Sequence, residues 1–277
     1  MDVSIIIVNY NTYSLTKSCI DSVFDKTEGI EFEVILVDNN SVDGSRDLFS
    51  ADSRIKYIYN DTNMGFGRAN NLGLSCAVGR NVLFLNSDTL LINNAIKILS
   101  DYLDSNINVG GCGGNLYYED LTPNMSFVRH YPSLIWEINA LFHGIPSRLI
   151  RYDNSMFNFS NEPCSVAYIW GADLMIRKKL LDKYGAFDKD FFMYFEETEL
   201  CHRLTTKGYK IMSVPQAQII HLNGKSTKQH KGPSNMYIQS NYIYIDKTDK
   251  SAIRRTVHRM ILKFRVFYHR VLGLWDK

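Results

Sequence analysis

Apolar positions follow two different spacings along the first half of the chain. Four short apolar runs have the pattern of strands that are covered on both faces, and they span residues 4–8, 33–37, 55–59 and 81–85. Between these runs apolar residues recur every three or four positions, which predicts helices. This β-α-β-α order predicts an α/β fold with a Rossmann-like, mainly parallel sheet and helices on both faces.

The second half of the chain predicts further elements after a segment without a clear pattern. Residues 115–163 are irregular and rich in aromatic side chains, and they yield no assignment. The pattern then predicts strands within 166–177, a helix that ends at Gly185, a helix over 197–207, and strands over 209–214 and 217–220.

Small polar residues follow three of the predicted strands. In parallel α/β sheets ligands bind beyond the carboxyl ends of the strands, and these ends carry Asn9-Tyr10-Asn11, Asp38-Asn39-Asn40 and Asn86-Ser87-Asp88. A single polar end is explained by ordinary turn chemistry. Three polar ends on one edge of the sheet predict a polar binding site.

Asp88 and His221 each follow an apolar strand and are candidate metal ligands. Mg²⁺ and Mn²⁺ favour carboxylate and phosphate oxygens, and neutral imidazole also binds Mn²⁺. Each residue alone has a structural alternative, because an Asp after a strand forms turns or caps helices and a lone His is usually structural. The turn at 224–226, with Lys225, is a further candidate phosphate contact.

Three carboxylates crowd the start of the helix predicted over 197–207. Glu196, Glu197 and Glu199 directly follow the aromatic run at 191–195. The helix dipole favours acidic residues in a first turn and accounts for one or two of them. The apolar run also desolvates the nearest carboxyl group and raises its pKa, which suits a general base.

Residues 63–73 are glycine-rich and open a predicted helix. They do not match G-x-G-x-x-G, because the third glycine is misplaced, so they are a weak signal for a dinucleotide. Backbone amides around Asn63 and Gly65, together with Arg68, are candidate contacts to a diphosphate.

Composition and charge exclude some classes of function. The chain has 277 residues, with 31 Lys and Arg against 29 Asp and Glu, which gives no argument for nucleic-acid binding. Five scattered cysteines without a C-x-x-C pair argue against a zinc site and a disulfide framework. No signal-peptide layout occurs, and no apolar stretch approaches the ~18 residues of a spanning helix. These features predict a cytoplasmic protein.

Five segments occur in an order that matches a known family. They are SIIIVNYN, VILVDNNSVDGS, NMGFGRANNLG, VLFLNSDT, and FFMYFEETELCHRL followed by HLNGKS, and they frame residues 3–228. In this combination the chain resembles glycosyltransferase family 2, and more narrowly its bacterial rhamnosyltransferase-like branch. The resemblance implies a GT-A fold, a nucleotide-diphosphate sugar donor, a divalent metal (Mg²⁺ or Mn²⁺) and inversion at the anomeric carbon.

The resemblance also implies roles for residues on the donor side. Asn86-Ser87-Asp88 corresponds to a D-x-D-like motif whose first acid is an Asn here, so Asp88 carries the metal interaction and His221 completes the metal site. Asp38 is expected to contact the nucleoside. The nucleobase is expected to be lined by Val8, Asn9, Tyr10 and Asn11.

On the acceptor side the resemblance implies a base and a sugar-binding segment. Glu197 corresponds to the second acid of the family's E-D pair, the general base, and the pair reads Glu196-Glu197 here, so Glu196 is a competing candidate. Residues 170–173 resemble the acceptor-side segment, in which Trp170 and Gly171 are expected to lie against a sugar and Asp173 to bond hydroxyl groups.

The predicted domain organisation has two parts. Residues 1–228 form the GT-A domain, with a nucleotide-binding half (1–110) and an acceptor and catalytic half (111–228), and 229–277 form a helical extension. Basic residues in this extension flank an apolar stripe, made of Ile253, Val257, Ile261, Phe264, Tyr268 and Leu272. Such a helix either lies in an anionic membrane interface or packs on the domain with a solvated basic face; the sequence leaves both readings open.

The resulting hypothesis is an inverting glycosyltransferase that works as a peripheral protein on the inner face of a membrane. It would transfer a sugar from dTDP-rhamnose or a UDP-hexose to a saccharide acceptor linked to a polyprenyl diphosphate, in bacterial surface polysaccharide synthesis. Two alternatives stay open: a nucleotide-dependent oxidoreductase on a Rossmann-like sheet, and a catalytically silent sugar-binding subunit.

Overall fold

The structure is a computed structural model that describes residues 1–142, 153, 155–222 and 235–271, apart from the side chains at 269 and 270. Its strands are β1 (Val3–Asn9), β2 (Phe32–Asn39), β3 (Ile55–Asn60), β4 (Asn81–Asn86), β5 (Thr89–Leu91), β6 (Val109–Tyr117), β7 (Phe127–Val128), β8 (Cys164–Val166), β9 (Tyr168–Ile169), β10 (Asp173–Arg177) and β11 (Lys210–His221). Its helices are α1 (Tyr13–Lys26), α2 (Ser45–Ser50), α3 (Phe66–Leu74), α4 (Ala95–Ser105), α5 (Leu134–Leu141), α6 (Lys178–Tyr184), α7 (Glu196–Thr206), α8 (Asn235–Thr248) and α9 (Ala252–Val271). The turn at 224–226, with Lys225, and the predicted domain boundary at 228 lie outside the described residues.

One sheet of nine strands organises the described part of the chain. Its order is β3-β2-β1-β4-β10-β6-β11-β5, with β8 paired to β11. β3, β2, β1 and β4 run parallel, as the apolar runs predict. β10 is antiparallel to both β4 and β6, so the second half of the sheet is mixed. The predicted α/β fold is confirmed.

A single long strand, β11, replaces the two strands predicted over 209–214 and 217–220. It pairs with β6 over both stretches, and the register shifts between Ser213 and Gln218. This irregularity lets the strand continue past Pro215, whose missing N–H cannot join a regular ladder.

Alternate residues of the parallel strands fill two separate cores. Ile5 and Ile7 pack in the layer that contains α1 and α4, whereas Ile6 packs in the layer that contains α6 and α7. Because both faces of the sheet are covered, β1, β2 and β4 are mostly apolar and their polar groups concentrate at the strand ends.

The described part of the unassigned aromatic segment includes the strand β7 and the helix α5. β7 pairs with β9 in a small antiparallel sheet. The hydroxyl of Ser133 accepts a hydrogen bond of 3.2 Å from the Trp136 N–H and caps the start of α5.

The two carboxyl-terminal helices pack on the rest of the chain. Tyr244 of α8 is buried beside Phe191 and Phe195. Arg265 of α9 and Glu137 of α5 form a buried ion pair with an Nε–Oε2 distance of 2.6 Å. One face of α9 therefore packs on the domain, as one of the two interpretations left open by the sequence predicts. In the described ranges no helix is long and apolar enough to cross a membrane.

Candidate active site

The carboxyl ends of the parallel strands lie side by side at one edge of the sheet. Asn9 of β1 is in register with Asp38 of β2, and Val8 is in register with Asn86 of β4. A cavity of about 740 Å³ opens at this edge. It lies where ligands bind in open α/β sheets, beyond the carboxyl ends of the strands.

The pairing of β5 with β11 brings Asp88 and His221 together. His221 faces Thr89 in the ladder, and the N–H of Leu222 donates to the carbonyl oxygen of Asp88 at 2.9 Å. Nε2 of His221 lies 3.3 Å from Oδ1 of Asp88 and 3.5 Å from the side-chain nitrogen of Asn86. Asn86, Asp88 and His221 all line the cavity.

This pair offers two protein ligands to a cation. Among the residues that the structure describes, no group of three or more His, Cys, Asp and Glu side chains is arranged to hold a metal ion. A carboxylate with an imidazole suits Mg²⁺ or Mn²⁺ where a nucleotide supplies further oxygens. The arrangement therefore fits a metal that binds together with a diphosphate.

The loop that precedes α7 is held from two sides. The Phe66 N–H at the start of α3 donates to the carbonyl oxygen of Phe192 at 2.9 Å. Gly65 has a φ of +86°, and a Cβ atom there would lie 2.2 Å from the same oxygen, so only glycine fits. On the opposite side the hydroxyl of Ser240 in α8 donates to the carbonyl oxygen of Met193 at 2.7 Å. These contacts fix the position at which α7 begins.

The three acidic residues of the first turn of α7 have different surroundings. Glu199 forms an ion pair of 2.7 Å with Arg203, one turn along the helix. Glu196 and Glu197 instead line the cavity. Helix stabilisation thus accounts for Glu199, and the catalytic candidates are reduced to Glu196 and Glu197.

Burial makes the two cavity carboxyl groups ionise at different pH. Burial raises the pKa of Glu196 well above its usual range, and the neighbouring charge of Glu197 raises it further. Burial also raises the pKa of Glu197, to about 7, against hydrogen bonds that stabilise its charged form. Glu197 is therefore the first of the pair to lose its proton as the pH rises.

Aromatic side chains line much of the same cavity. They include Trp136, Tyr168, Trp170, Tyr194 and Tyr237. Gly171 lies directly against the base candidate, because a Cβ atom at this position would be 3.4 Å from Cδ of Glu197. The cavity thus combines a polar end at the strand ends with apolar faces that suit a sugar ring.

Comparison with known proteins identifies the family. The sequence profile of glycosyl transferase family 2 matches residues 4–185, more than half of the chain. The chain belongs to glycosyltransferase family 2. The family resemblance drawn from the motifs is confirmed, and membership argues against the oxidoreductase alternative. The rhamnosyltransferase-like branch stays a prediction.

Relatives of this family 2 glycosyltransferase match different lengths of the chain. The low-salt glycan biosynthesis hexosyltransferase Agl10 of Haloferax volcanii is 26% identical over 230 residues, which cover 79% of this chain and 67% of the relative. The matched region spans 17% of an uncharacterized glycosyltransferase of Rickettsia felis and 55% of the putative teichuronic acid biosynthesis glycosyltransferase TuaG of Bacillus subtilis. The chain therefore corresponds to part of those proteins.

Solved structures show the fold of this family 2 glycosyltransferase. S. aureus TarS 1-349 superposes with a TM-score of 0.57 at 17% identity, over 97% of this chain and 72% of that one. GalNAc-T7, determined with UDP, GalNAc and Mn²⁺, superposes with a TM-score of 0.64 at 15% identity, over 96% and 54%. The predicted GT-A fold is confirmed.

The cavity wall contains most of the predicted site residues of this family 2 glycosyltransferase. On the donor side they are Val8, Tyr10, Asn63, Gly65, Asn86, Ser87 and Asp88, and they are joined by Trp170, Gly171, Glu196, Glu197 and His221. Arg68 lies elsewhere, because its Nε donates to the carbonyl oxygen of Lys189 at 2.7 Å on the protein surface. Arg68 is not part of the cavity wall, and its expected contact with a diphosphate stays a prediction.

Three other residues that were predicted to bind the donor are not part of the cavity wall but support the loops beside it. Asn9 is buried and donates to the Ser41 hydroxyl at 2.9 Å. Asp38 is buried as well, and its carboxylate accepts the Ser41 N–H at 2.8 Å and the Tyr57 hydroxyl at 3.1 Å. Asn11 accepts the N–H of Val42 at 2.8 Å. These side chains shape the loops around the donor end rather than line it.

Several cavity residues carry no signal in the sequence that singles them out. Asn39 lines the wall beside the buried Asp38, and its amide donates to Oδ1 of Asn63 at 2.8 Å. Arg129, His130 and Trp136 come from the segment at 115–163. The aromatic richness of that segment was the available clue, but no periodicity placed it in the fold.

Asp173 does not line the cavity, so the structure gives no support to its predicted role in acceptor binding. Its side chain is fully buried between β4, β6 and β10, where Oδ2 accepts the Gly114 N–H at 2.5 Å. Oδ1 has no hydrogen-bond partner within the described ranges. Burial raises the pKa of Asp173 to about 7. The side chain lies inside the sheet and is not part of the cavity wall.

The variant Asp173→Asn is expected to change the pH dependence of stability. The folded protein holds the Asp173 proton more tightly than the unfolded chain, so the free energy of unfolding falls as the pH rises from about 4 to about 7. Between pH 5 and pH 8 this residue accounts for a loss of about 2–3 kcal/mol, which Asp173→Asn removes. Urea unfolding at both pH values measures the difference. An unchanged slope with pH would mean that the carboxylate is hydrated and would reopen its contact with the acceptor.

Proposed function

We propose that this family 2 member is an inverting glycosyltransferase that moves one sugar from a nucleotide diphosphate to a hydroxyl group of a saccharide acceptor. The observation that carries the proposal is a single cavity lined by Asp88 and His221 at the strand ends and by Glu197 at the start of α7. One space then holds the leaving diphosphate and the attacking hydroxyl, which a direct displacement requires.

Asp88 and His221 are the proposed holders of a divalent cation, with Asn86 beside them. Bound Mg²⁺ or Mn²⁺ would neutralise the charge that develops on the leaving diphosphate. Two protein ligands suffice, since such ions in nucleotide sites take their remaining oxygens from phosphate and water. The presence of UDP and Mn²⁺ in the GalNAc-T7 structure supports this reading of the GT-A fold.

Glu197 is the proposed general base. Its carboxylate accepts the proton of the acceptor hydroxyl while that oxygen forms a bond to C1 of the donor sugar. The bond between C1 and the diphosphate oxygen breaks in the same step, and its electron pair leaves with the diphosphate. Attack from the side opposite the leaving group inverts the anomeric configuration. The carboxyl group of Glu196, beside the base, stays protonated and neutral during this step.

The variant Glu196→Gln is expected to keep at least about a tenth of the transfer rate, because an amide replaces a carboxyl group that is neutral in the active enzyme. In both proteins the rate should rise with pH through about 7, where Glu197 ionises. Initial rates between pH 5.5 and 8.5 measure both properties. If Glu196→Gln lost as much activity as a substitution of Glu197, the base would be shared or would be Glu196.

The finer identity of the substrates follows from the branch resemblance. We propose dTDP-rhamnose or a UDP-hexose as donor and a saccharide on a polyprenyl diphosphate as acceptor, in bacterial surface polysaccharide synthesis. Peripheral contact of residues 229–277 with the inner face of a membrane belongs to the same proposal. The aromatic walls of the cavity are consistent with a saccharide acceptor.

A panel of nucleotide sugars tests the proposed function. dTDP-rhamnose, UDP-glucose, UDP-galactose and UDP-N-acetylglucosamine are titrated by calorimetry with Mn²⁺ and with EDTA. We expect at least one donor to bind about tenfold or more tightly with Mn²⁺. Metal-independent binding of NAD(P) with no donor bound would contradict the proposal. Donor binding without release of nucleoside diphosphate on any saccharide acceptor would favour the catalytically silent sugar-binding subunit.

A further inference from the structure

Helix α9 has a second apolar face that nothing in the described part of the chain covers. Six large apolar side chains form one line on its outside: Ile253, Val257, Met260, Phe264, Phe267 and Val271. At about 100° per residue these positions fall within an arc of roughly 80°. Met260, Phe264, Phe267 and Val271 are each more than half exposed, from 55% to 65%. We call these six residues the α9 stripe.

The α9 stripe differs from the stripe predicted from the sequence. Ile261 and Tyr268, which belong to the predicted stripe, are half-buried, and Met260 and Phe267 are exposed in their place. The rotation of the helix is set by its inner side, where Leu262 is fully buried.

A buried ion pair prevents the helix from turning the α9 stripe inward. Nε of Arg265 lies 2.6 Å from Oε2 of Glu137 in α5, and Asn241 of α8 donates to the other oxygen of Glu137 at 3.4 Å. Rotation of α9 would leave Glu137 as a buried charge without its partner, which is strongly unfavourable. The outward orientation of the α9 stripe is therefore a property of the packed fold.

Charge indicates which partner the α9 stripe fits. Residues 252–271 contain six Arg and Lys and no Asp or Glu. Ion pairs with Asp246, Asp249 and Glu137 offset only part of this charge. Arg254 and Lys263, both exposed, lie on the two sides of the α9 stripe. An apolar line between cations matches the interface of an anionic bilayer, whereas pairing with a second copy would bring like charges together.

We infer that the α9 stripe is the membrane-docking surface of this protein and inserts its apolar side chains among anionic phospholipids, with Arg254 and Lys263 at the headgroups. This inference rests on the proposed function only in choosing a bilayer as the partner. Through Glu137 the docked helix is joined to α5, which carries Trp136 on the cavity wall. The packing of α9 on α5 thus links the cavity wall at Trp136 to the docked helix.

Vesicle co-sedimentation of the full chain tests the surface. Vesicles of phosphatidylcholine with added phosphatidylglycerol are compared with pure phosphatidylcholine. We expect binding to the anionic vesicles that falls about tenfold or more in Phe264→Ser/Phe267→Ser and about fivefold in Lys263→Glu. Phe159→Ser is the control, because Phe159 is a phenylalanine outside α9 that is even more exposed than Phe264 and Phe267, and its substitution should leave binding unchanged. These point variants are preferable to deletion of α9, which would strip Arg265 from buried Glu137.

Three results would overturn the inference: no binding of the wild-type chain to anionic vesicles, equal binding of Phe264→Ser/Phe267→Ser, or a dimer in analytical ultracentrifugation that this double variant converts to a monomer. The last result would assign the α9 stripe to a second copy. Calorimetric donor binding in the same variants separates this inference from the proposed function, because α9 contributes no residue to the cavity wall.

Discussion

Replacing Glu197 with glutamine is expected to lower the rate of sugar transfer by about 10³-fold and to leave donor affinity within about twofold. The amide keeps the size of the side chain against Gly171 but cannot accept a proton from the acceptor hydroxyl. In the proposed arrangement the donor binds at the strand ends, around Asp88, so its affinity should not depend on this carboxylate. Steady-state rates and calorimetric titration of the donor on the same preparation measure the two effects.

Glu199→Gln is the matched control for Glu197→Gln. It makes the same change two residues along α7, where the carboxylate pairs with Arg203 and does not line the cavity. Its rate should stay within about threefold of wild type, because it removes an ion pair and no catalytic group. Near-normal turnover of Glu197→Gln, or an equal loss in Glu199→Gln, would move the base elsewhere.

Replacing Asp88 with asparagine is expected to weaken the metal-dependent binding of UDP or dTDP by at least about tenfold. It is also expected to lower the rate of sugar transfer by about 10²-fold. Asparagine has nearly the shape of the carboxylate but lacks its charge, so His221 loses the anionic partner that lies 3.3 Å away. Titrations of UDP and dTDP with Mn²⁺ and with EDTA separate the metal-dependent part of the affinity.

Asp101→Asn controls for the loss of one negative charge. Asp101 lies on α4, is half-exposed and pairs with Lys97 one turn before it. It should leave both nucleotide affinity and transfer unchanged. If Asp88→Asn kept the full effect of Mn²⁺ on nucleotide binding, the cation would be held by other residues.

The parallel half of the sheet could be predicted because the apolar runs of its strands agree with the alternating order of strands and helices. Strands covered by helices on both faces are predominantly apolar, and so are the four runs at the start of the chain. Their polar ends then predicted the edge at which the cavity opens. Asp88 and His221 could be paired only through the family resemblance, since 133 residues separate them and β11 brings them together.

Individual side chains at the strand ends were harder to predict. Successive residues of a strand point to opposite faces, so Asp38 is buried while Asn39 lines the cavity. The family resemblance, and not the local pattern, pointed to Asp38 as the nucleoside contact. Asp173 was likewise predicted from the resemblance of residues 170–173, and its carboxyl group is buried within the sheet.

The features that the sequence could not predict depend on contacts between distant parts of the chain. The segment at 115–163 has no periodicity, yet it supplies Trp136 to the cavity and Glu137 to α9. The face that α9 exposes depends on the pairing of Arg265 with Glu137, 128 residues earlier. Periodicity within the helix identifies its apolar positions but not which of them another helix covers.

The most direct test of the shared site is the position of the cation itself. Crystals of the full chain grown with MnCl₂ and the nucleoside diphosphate of the bound donor would be measured at the manganese absorption edge. The anomalous difference map should show one strong peak in bonding contact with Asp88 and His221, at the donor end of the cavity that contains Glu197. A peak at another site, or a bound diphosphate outside this cavity, would contradict the account.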